Sequence, residues 1–295
     1  METELLTPDE AGLQKAAGLI REGQVVGMPT ETVYGLAADA TNRDAVAKVF
    51  AAKGRPMDNP LIVHISSMEE LEQAVSWVPE LVASLADAFW PGPLTMIMPK
   101  SERIPMETSG GLDTVGVRMP SHPVAQALIR TAGVPIAAPS ANRSGYPSPT
   151  TAQHVLADMQ GRIPAILDGG ACSCGLESTV VTFDDDRTVR ILRPGFVTKE
   201  MLLEHVPNVV IDPAIFRQVS ASEKVASPGM KYKHYAPNAA VTLVEGSPEL
   251  FRQFLALQQA DGVYALIFDG DAEQFPYPHM TYGGTSIEQG RQLFA

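Results

Sequence analysis

The sequence is poor in cysteine and has no long apolar run, and both absences narrow the kind of protein it encodes. Its two cysteines, Cys172 and Cys174, stand one residue apart in a chain of 295 residues. Such a pair cannot cross-link distant segments, and no cysteine and histidine set accompanies it for zinc. We interpret both as reduced thiols in a turn, with a redox or metal role as the alternative. Without a membrane-spanning run or a signal peptide, a soluble cytoplasmic protein with no membrane contact is expected.

Basic residues are scarce. The chain has 22 Lys and Arg against 34 Asp and Glu, a formal net charge of −12, and both the N-terminal and C-terminal parts are acidic. The whole molecule therefore repels phosphate backbones at long range, which argues against a protein that mainly coats nucleic acid. A local basic groove remains possible.

Three familiar catalytic motifs are also missing. The sequence has no G-x-x-x-x-G-K-[ST] phosphate loop, no G-x-G-x-x-G after a strand and no G-x-S-x-G elbow. It has no dense carboxylate cluster for a metal held by protein alone, although Mg²⁺ could arrive on a nucleotide. Covalent serine chemistry and a tightly bound cofactor are therefore not expected.

Short, fully apolar strands that alternate with amphipathic helices make up most of the chain, which is typical of an α/β fold. Strands are predicted over residues 25–29, 61–65, 94–98, 114–118, 135–138, 165–167, 179–183 and 188–192. Helices are predicted over residues 11–23, 44–53, 68–75, 79–89, 123–131 and 151–159. We expect a large open-sheet domain over 1–205, a linker over 206–238 and a smaller Rossmann-like α/β domain over 239–295. The last has a strand at 241–244, a helix at 248–258, a strand at 263–268 and a helix at 286–294, and it looks shortened.

Several loops that follow strands are richer in polar residues than a surface turn needs. The segment K-G-R-P-M-D-N-P-L-I-V-H (residues 53–64) places two cations, an amide and an imidazole around the start of a strand. In open α/β sheets such loops meet in one crevice. Lys53, Arg55, Arg118 and Arg193 would stand there among hydroxyls, a combination that suits a polyphosphate and a small carboxylate. Taken singly, each has an ordinary interpretation as a surface ion pair, a structural histidine or a turn residue, so the prediction depends on their convergence.

Six motifs in order carry a resemblance to a known family. P-T-E-T-V-Y-G-L, K-G-R-P-x-x-N-P-L-I-V-H, W-P-G-P-L-T, G-V-R-M-P, A-A-P-S-A-N and G-x-E-S-T-V together resemble the YrdC/TsaC family of L-threonylcarbamoyladenylate synthases. The run S-P-G-M-K-Y-K-H-Y-A-P resembles the linker of the family's long, two-domain members. The resemblance spans about residues 10–240 and is weaker beyond Asn238.

The resemblance implies a nucleotidyltransferase with a YrdC-like catalytic domain. L-threonine, bicarbonate or CO₂, and ATP would give threonylcarbamoyl-AMP and pyrophosphate, with Mg²⁺ carried by ATP and no metal held by protein. Other proteins would then transfer the threonylcarbamoyl group to adenosine 37 of tRNA to form t6A, and a weak tRNA contact of this chain is possible.

The resemblance also implies a set of site residues. Lys53 and Arg55 would be catalytic, neutralising the phosphates, and Arg118 would bind the threonine carboxylate. His64 could be a base or only a hydrogen-bonding contact. The expected ATP contacts are Arg55, Asn59, Thr114, Ser140, Asn142, Ser148, Arg193 and Tyr235. The expected L-threonine contacts are Thr32, His64, Arg118, Ala138 and Ser178.

Two rival functions and one further expectation accompany this hypothesis. The chain could be a double-stranded RNA or tRNA-binding module without catalysis, which its net charge disfavours. It could also be a carbamoyl-transfer maturation factor, a class that adds zinc-finger cysteines and an acylphosphatase module, both missing here.

Segment 227–238 is unusually aromatic for a linker, so we expect it to cross the pocket as a lid with Tyr235 near the phosphates.

Overall fold

A computed structural model describes residues 2–216, 239–258, 262–273 and 275–294 of the chain. The strands are β1 (Glu4–Leu6), β2 (Val26–Met28), β3 (Gly35–Asp39), β4 (Ile62–His64), β5 (Leu94–Pro99), β6 (Thr114–Arg118), β7 (Ile136–Ala137), β8 (Ala165–Leu167), β9 (Thr179–Phe183), β10 (Thr188–Arg193), β11 (Asn208–Ile211), β12 (Ala265–Ile267) and β13 (His279–Thr281). The helices are α1 (Glu10–Arg21), α2 (Arg43–Lys53), α3 (Leu71–Ala74), α4 (Leu81–Phe89), α5 (Met106–Ser109), α6 (Pro123–Ala132), α7 (Ala152–Met159), α8 (Lys199–Leu203), α9 (Pro248–Leu257) and α10 (Ser286–Gln292).

One large mixed sheet organises the first 211 residues. It has 11 strands in the order β1-β8-β2-β3-β7-β4-β6-β5-β9-β10-β11. The β4–β6 pair is parallel, and β7 runs antiparallel to both β3 and β4. The α/β fold class is therefore confirmed, with helices packed against a broad twisted sheet.

The two faces of this sheet differ in how they are covered. Val63, Val115 and Val117 belong to the main core, which packs on one face. Side chains alternate along a strand, so Ile62, His64 and Arg118 point to the other face. There, α1 and α6 cover the end near β1 and β2 with a second core, whereas β4, β5, β9 and β10 carry only a four-residue apolar cluster. Polar side chains of β4 and β6 therefore share the less apolar half of that face.

Helix α2 shows how local sequence positions a functional loop. Asn42 caps it by accepting from the backbone N–H groups of Asp44 and Ala45. Gly54 ends it in the left-handed conformation with φ 65°, which a residue without a Cβ adopts readily. The chain turns there, so Lys53 stays on the last helical turn while Arg55 begins the loop that leads to β4.

Most predicted elements of the sheet are present, and the exceptions have physical reasons. Strands β1, β3 and β11 were not predicted. Strands β1 and β11 have only three and four residues, β3 consists largely of glycine and alanine, which have low strand propensity, and β11 extends the sheet beyond residue 205. The helix predicted at residues 68–75 is the single turn α3. The strand predicted at residues 241–244 was wrong, because that segment pairs with no described strand and its apolar side chains are exposed, Val241 by 77%.

The C-terminal segment forms a small separate core. Strands β12 and β13 pair in parallel, and α9 buries Leu255 against Ala265 and Ile267. Helix α10 lies against the loop before β9, where a Cβ on Gly175 would stand 2.5 Å from the carbonyl oxygen of Arg291. Gly175 also has φ 71°, so this close backbone contact requires glycine. Across the described residues, no helix combines the length and apolarity that a bilayer crossing requires.

Candidate active site

A pocket opens on the sheet face opposite the main core, where β4, β6 and the loops before β3, β4, β9 and after β7 and β10 meet. All the predicted threonine contacts line it, together with three of the predicted ATP contacts. The threonine set is Thr32, His64, Arg118, Ala138 and Ser178, and the ATP set is Arg55, Ser140 and Arg193. The loops that were predicted to converge therefore do so.

Arg118 is a buried cation held on three sides. Its Nε donates to the Gly92 carbonyl at 3.2 Å and its Nη1 to Thr32 Oγ1 at 2.9 Å. Its Nη2 lies 2.6 Å from Glu31 Oε1, and both side chains of this ion pair are only 4% exposed. Because the register of the parallel pair sets Arg118 beside His64, the guanidinium and the imidazole reach the pocket side by side.

Glu31 is a partner of a predicted site residue that the sequence prediction missed. It does not line the pocket and stands behind Arg118. Burial alone would raise the pKa of this carboxyl, but the charge of Arg118 and its hydrogen bond hold the pKa below its ordinary value. A carboxylate shortly after the apolar strand β2, in a short turn before the next apolar strand, was a signal that could have pointed to it, because a buried charge requires a partner.

His64 is a neutral imidazole in this environment. Burial and then the charge of Arg118 lower its pKa to about 3. Within the part of the chain that the structure describes, its Nδ1 has no hydrogen-bond partner. At neutral pH the ring is therefore suited to hydrogen bonding with a ligand and is a weak base.

A second glutamate, Glu177, lies inside the pocket and was not predicted either. Ser148 Oγ donates to Glu177 Oε1 at 2.6 Å, and Arg193 Nη1 lies 3.0 Å from Glu177 Oε2. Arg193 also donates to the Ser178 carbonyl at 2.8 Å and to Ser178 Oγ at 3.0 Å. Two residues predicted to bind ATP, Ser148 and Arg193, are thus connected through one carboxylate.

Lys53 has a different position from the one predicted. Its ammonium is buried, does not line the pocket and donates to the carbonyls of Ser140 and Asn142 and to Asn142 Oδ1. Burial, followed by the charge of Arg55, lowers its pKa to about 7. In this structure Lys53 supports the loop of residues 140–142, and Asn142 serves as its partner instead of facing the pocket.

Arg55 and Asn59 occupy the loop that leads into β4. Arg55 lines the pocket, with its guanidinium carbon 6.0 Å from the centre of the Phe50 ring. The Asn59 side chain is 1% exposed, yet neither its Oδ1 nor its Nδ2 finds a hydrogen-bond partner among the described residues. A buried amide of this kind is commonly completed by a ligand or by water.

Of the other five predicted ATP contacts, Asn59, Asn142 and Ser148 are buried and do not line the pocket, and the remaining two fall elsewhere. Thr114 shares the sheet face of Arg118, but it lines a neighbouring groove with Trp77 and Phe183 instead of the pocket itself. Tyr235 and the predicted lid lie outside the described residues. In the described ranges, no group of three or more His, Cys, Asp or Glu could hold a metal ion.

Comparisons with known proteins cover both parts of the chain. A family model named Sua5_yciO_yrdC, described as telomere recombination, matches residues 18–195. A second model, Sua5_C, described as the C-terminal domain of threonylcarbamoyl-AMP synthase, matches residues 197–295.

Individual relatives agree with the family models. The threonylcarbamoyl-AMP synthase of Bacillus subtilis is 49% identical over 261 residues, 88% of this chain and 74% of the relative. The threonylcarbamoyl-AMP synthase of Pyrococcus abyssi is 50% identical over 245 residues, 83% of this chain and 71% of the relative. A crystal structure of P. abyssi Sua5 complexed with L-threonine superposes with a TM-score of 0.91 at 43% identity, covering all of this chain and 87% of that one.

The resemblance inferred from the six motifs is therefore confirmed, and the comparisons favour an enzyme over a binding module without catalysis. The chain belongs to the Sua5/YrdC family of threonylcarbamoyl-AMP synthases.

Proposed function

We propose that the chain makes threonylcarbamoyl-AMP and pyrophosphate from L-threonine, bicarbonate or CO₂, and ATP, for the t6A modification of tRNA. The observation that carries this proposal is a single pocket with a buried arginine at one end and two further arginines at the other. Arg118 suits a small carboxylate, and Arg55 and Arg193 suit a polyphosphate. The family membership supports the same reaction.

At the threonine end, Arg118 receives the substrate carboxylate. Glu31, Thr32 and Gly92 hold the guanidinium from behind and from the sides, so its orientation is fixed before the substrate arrives. The neutral ring of His64 offers to the polar groups of threonine an Nδ1 that no described residue engages. Ser178 Oγ, held 2.8 Å from Thr95 Oγ1, closes the opposite wall.

At the nucleotide end, Arg55 and Arg193 contact the phosphates. Asn59 and Ser148 supply neutral polar groups at the same end. Lys53 acts through the loop of residues 140–142, because its three donors already go to Ser140 and Asn142. A part for Thr114 in binding ATP, and for Tyr235 near the phosphates, stays a prediction.

The reaction needs no protein nucleophile. The threonine amine adds to CO₂ and loses a proton, giving a carbamate. A carbamate oxygen then attacks the α-phosphorus of ATP, and the bond to the β-phosphate oxygen breaks to release pyrophosphate. Holding two substrates in line and balancing the charge that moves to pyrophosphate are the tasks left to the protein, and the arrangement of Arg55, Arg118 and Arg193 suits them.

ATP is taken to bind with Mg²⁺, which neutralises part of the phosphate charge. Transfer of the threonylcarbamoyl group to tRNA would fall to other proteins that accept the labile adenylate.

Isotope exchange tests the proposed reaction directly. Radiolabelled pyrophosphate should exchange into ATP only when both threonine and bicarbonate are present, because the adenylate cannot form without the carbamate. Serine in place of threonine serves as a substrate control. Exchange that proceeds with ATP alone, or with threonine but no bicarbonate source, would contradict the proposal.

A further inference from the structure

Two glutamates pair with arginines of the pocket, and they stand on opposite sides of those arginines. Glu31 lies behind Arg118 and does not line the pocket, whereas Glu177 does line it and faces Arg193 from the ligand side. Glu31 therefore supports its arginine. Glu177 instead occupies space close to where the phosphates must bind.

The position of Glu177 creates an electrostatic conflict for bare ATP. Its two carboxylate oxygens already engage Ser148 at 2.6 Å and Arg193 at 3.0 Å. A triphosphate that reaches Arg193 brings several negative charges beside this carboxylate, and like charges at contact distance repel strongly in a partly buried site. Glutamine could still accept from Arg193 through its Oε1 and donate to the Ser148 hydroxyl through its Nε2, and it would bring no charge that conflicts with the phosphates.

A divalent cation bound between the phosphates and Glu177 would remove this repulsion. Mg²⁺ in nucleotide sites is held by one or two carboxylates together with substrate phosphates and several waters. Glu177, a hard oxygen donor that lines the pocket, fits the role of such a carboxylate, and the hydroxyl of Ser148 orients it from the buried side.

We propose that Glu177 makes the site selective for ATP carrying Mg²⁺. The carboxylate repels the bare nucleotide, and it contacts the metal once the phosphates have replaced it as the partner of Arg193. The inference rests on the proposed function, since it concerns ATP in the same pocket. It assigns a metal-facing residue where the sequence had predicted none.

Calorimetry with a non-hydrolysable ATP analogue tests this proposal without relying on turnover. The metal factor is the Kd of the analogue in excess EDTA divided by its Kd in excess Mg²⁺. Glu177→Gln should bind the metal-free analogue more tightly and the Mg²⁺ form more weakly, so its metal factor should fall by about tenfold or more relative to wild type. Glu177→Asp, which keeps the charge, should retain most of the factor.

Glu31→Gln is the matched control, because it neutralises the other buried glutamate outside the pocket. It should weaken threonine binding and leave the metal factor unchanged. Electron paramagnetic resonance of the Mn²⁺ complex gives a second readout, and the spectrum should differ between wild type and Glu177→Gln but not between wild type and Glu31→Gln.

Equal metal factors in wild type and Glu177→Gln would overturn the inference while leaving the proposed function intact. A wild-type protein that binds the analogue in neither condition would overturn both. Melting curves of the three variants check that each is folded under the conditions of the titration.

Discussion

Removing Arg118 should damage the protein in two separable ways, and the buried ion pair predicts the size of each. Arg118→Ala deletes the group expected to bind the threonine carboxylate. It also leaves Glu31, 4% exposed, as a buried carboxylate without its cation. Breaking one partner of a buried pair typically costs about 3–5 kcal/mol of folding free energy, which for a chain of this size lowers the melting temperature by roughly 10 °C.

A double variant separates the two effects. Arg118→Ala combined with Glu31→Gln removes the uncompensated charge, so most of the lost stability should return. In both variants the threonine affinity should be roughly 30-fold to 4,000-fold below that of the wild type. A loss of about 2–5 kcal/mol of binding free energy is typical when one partner of a buried charge pair is truncated. Calorimetry with threonine and with ATP, next to melting curves, measures both quantities, and ATP should still bind.

The pH dependence of folding stability provides an independent check on the role of the Arg118–Glu31 pair. In the wild type the pKa of Glu31 lies below its ordinary value of 4.5, so the pair's contribution to stability is present above that value and is lost as the pH falls through the folded pKa. In Arg118→Ala the carboxyl loses its cation and burial raises its pKa. The stability gap between variant and wild type should therefore narrow as the pH falls from neutral. A gap that is constant with pH, or a double variant no more stable than the single one, would refute the reasoning.

Three further outcomes follow from the site. The ring of His64, with a pKa near 3, should show no NMR titration between about pH 5 and 8, and a midpoint in that range would contradict its burial as a neutral group. Lys53→Met should raise the KM for ATP as well as lower kcat, since Lys53 supports the loop of residues 140–142; a change in kcat alone would instead indicate direct action on the transition state. Gly110→Ala should weaken ATP binding and spare threonine binding, both measured by calorimetry, because a Cβ there would stand 2.8 Å from the backbone nitrogen of Pro60, next to Asn59.

Strand patterns predicted the two strands that carry the sheet half of the site. The apolar runs before His64 and Arg118 predicted two buried strands, and the register of the parallel pair in the structure places both residues on one face. Thr114 shares that face, but strand alternation could not tell which of two neighbouring depressions it would line. That choice depends on the Trp77 and Phe183 side chains, which come from distant segments.

The sequence could not predict which side chains of different loops contact each other. Glu31 meets Arg118 across 87 residues of chain, and Glu177 reaches Ser148 from a different loop. The motif predicted Lys53 as a phosphate contact, but it could not show that the ammonium donates to the carbonyls of Ser140 and Asn142. Strands β3 and β11 were missed for a related reason, since their stability comes from neighbours in the sheet.

The contact between Gly175 and the Arg291 carbonyl restricts how this chain can be recombined with its relatives. The approach is between two backbones, so it depends little on which side chains α10 presents and strongly on the path of the chain at residues 290 and 291. A C-terminal segment transplanted from another family member could differ widely in composition and still dock, provided that its last helix leaves room beside residue 175. Glu177 and Ser178 follow within three residues of Gly175. A chimera whose last helix is slightly shifted should therefore show altered substrate affinity before its folding stability changes.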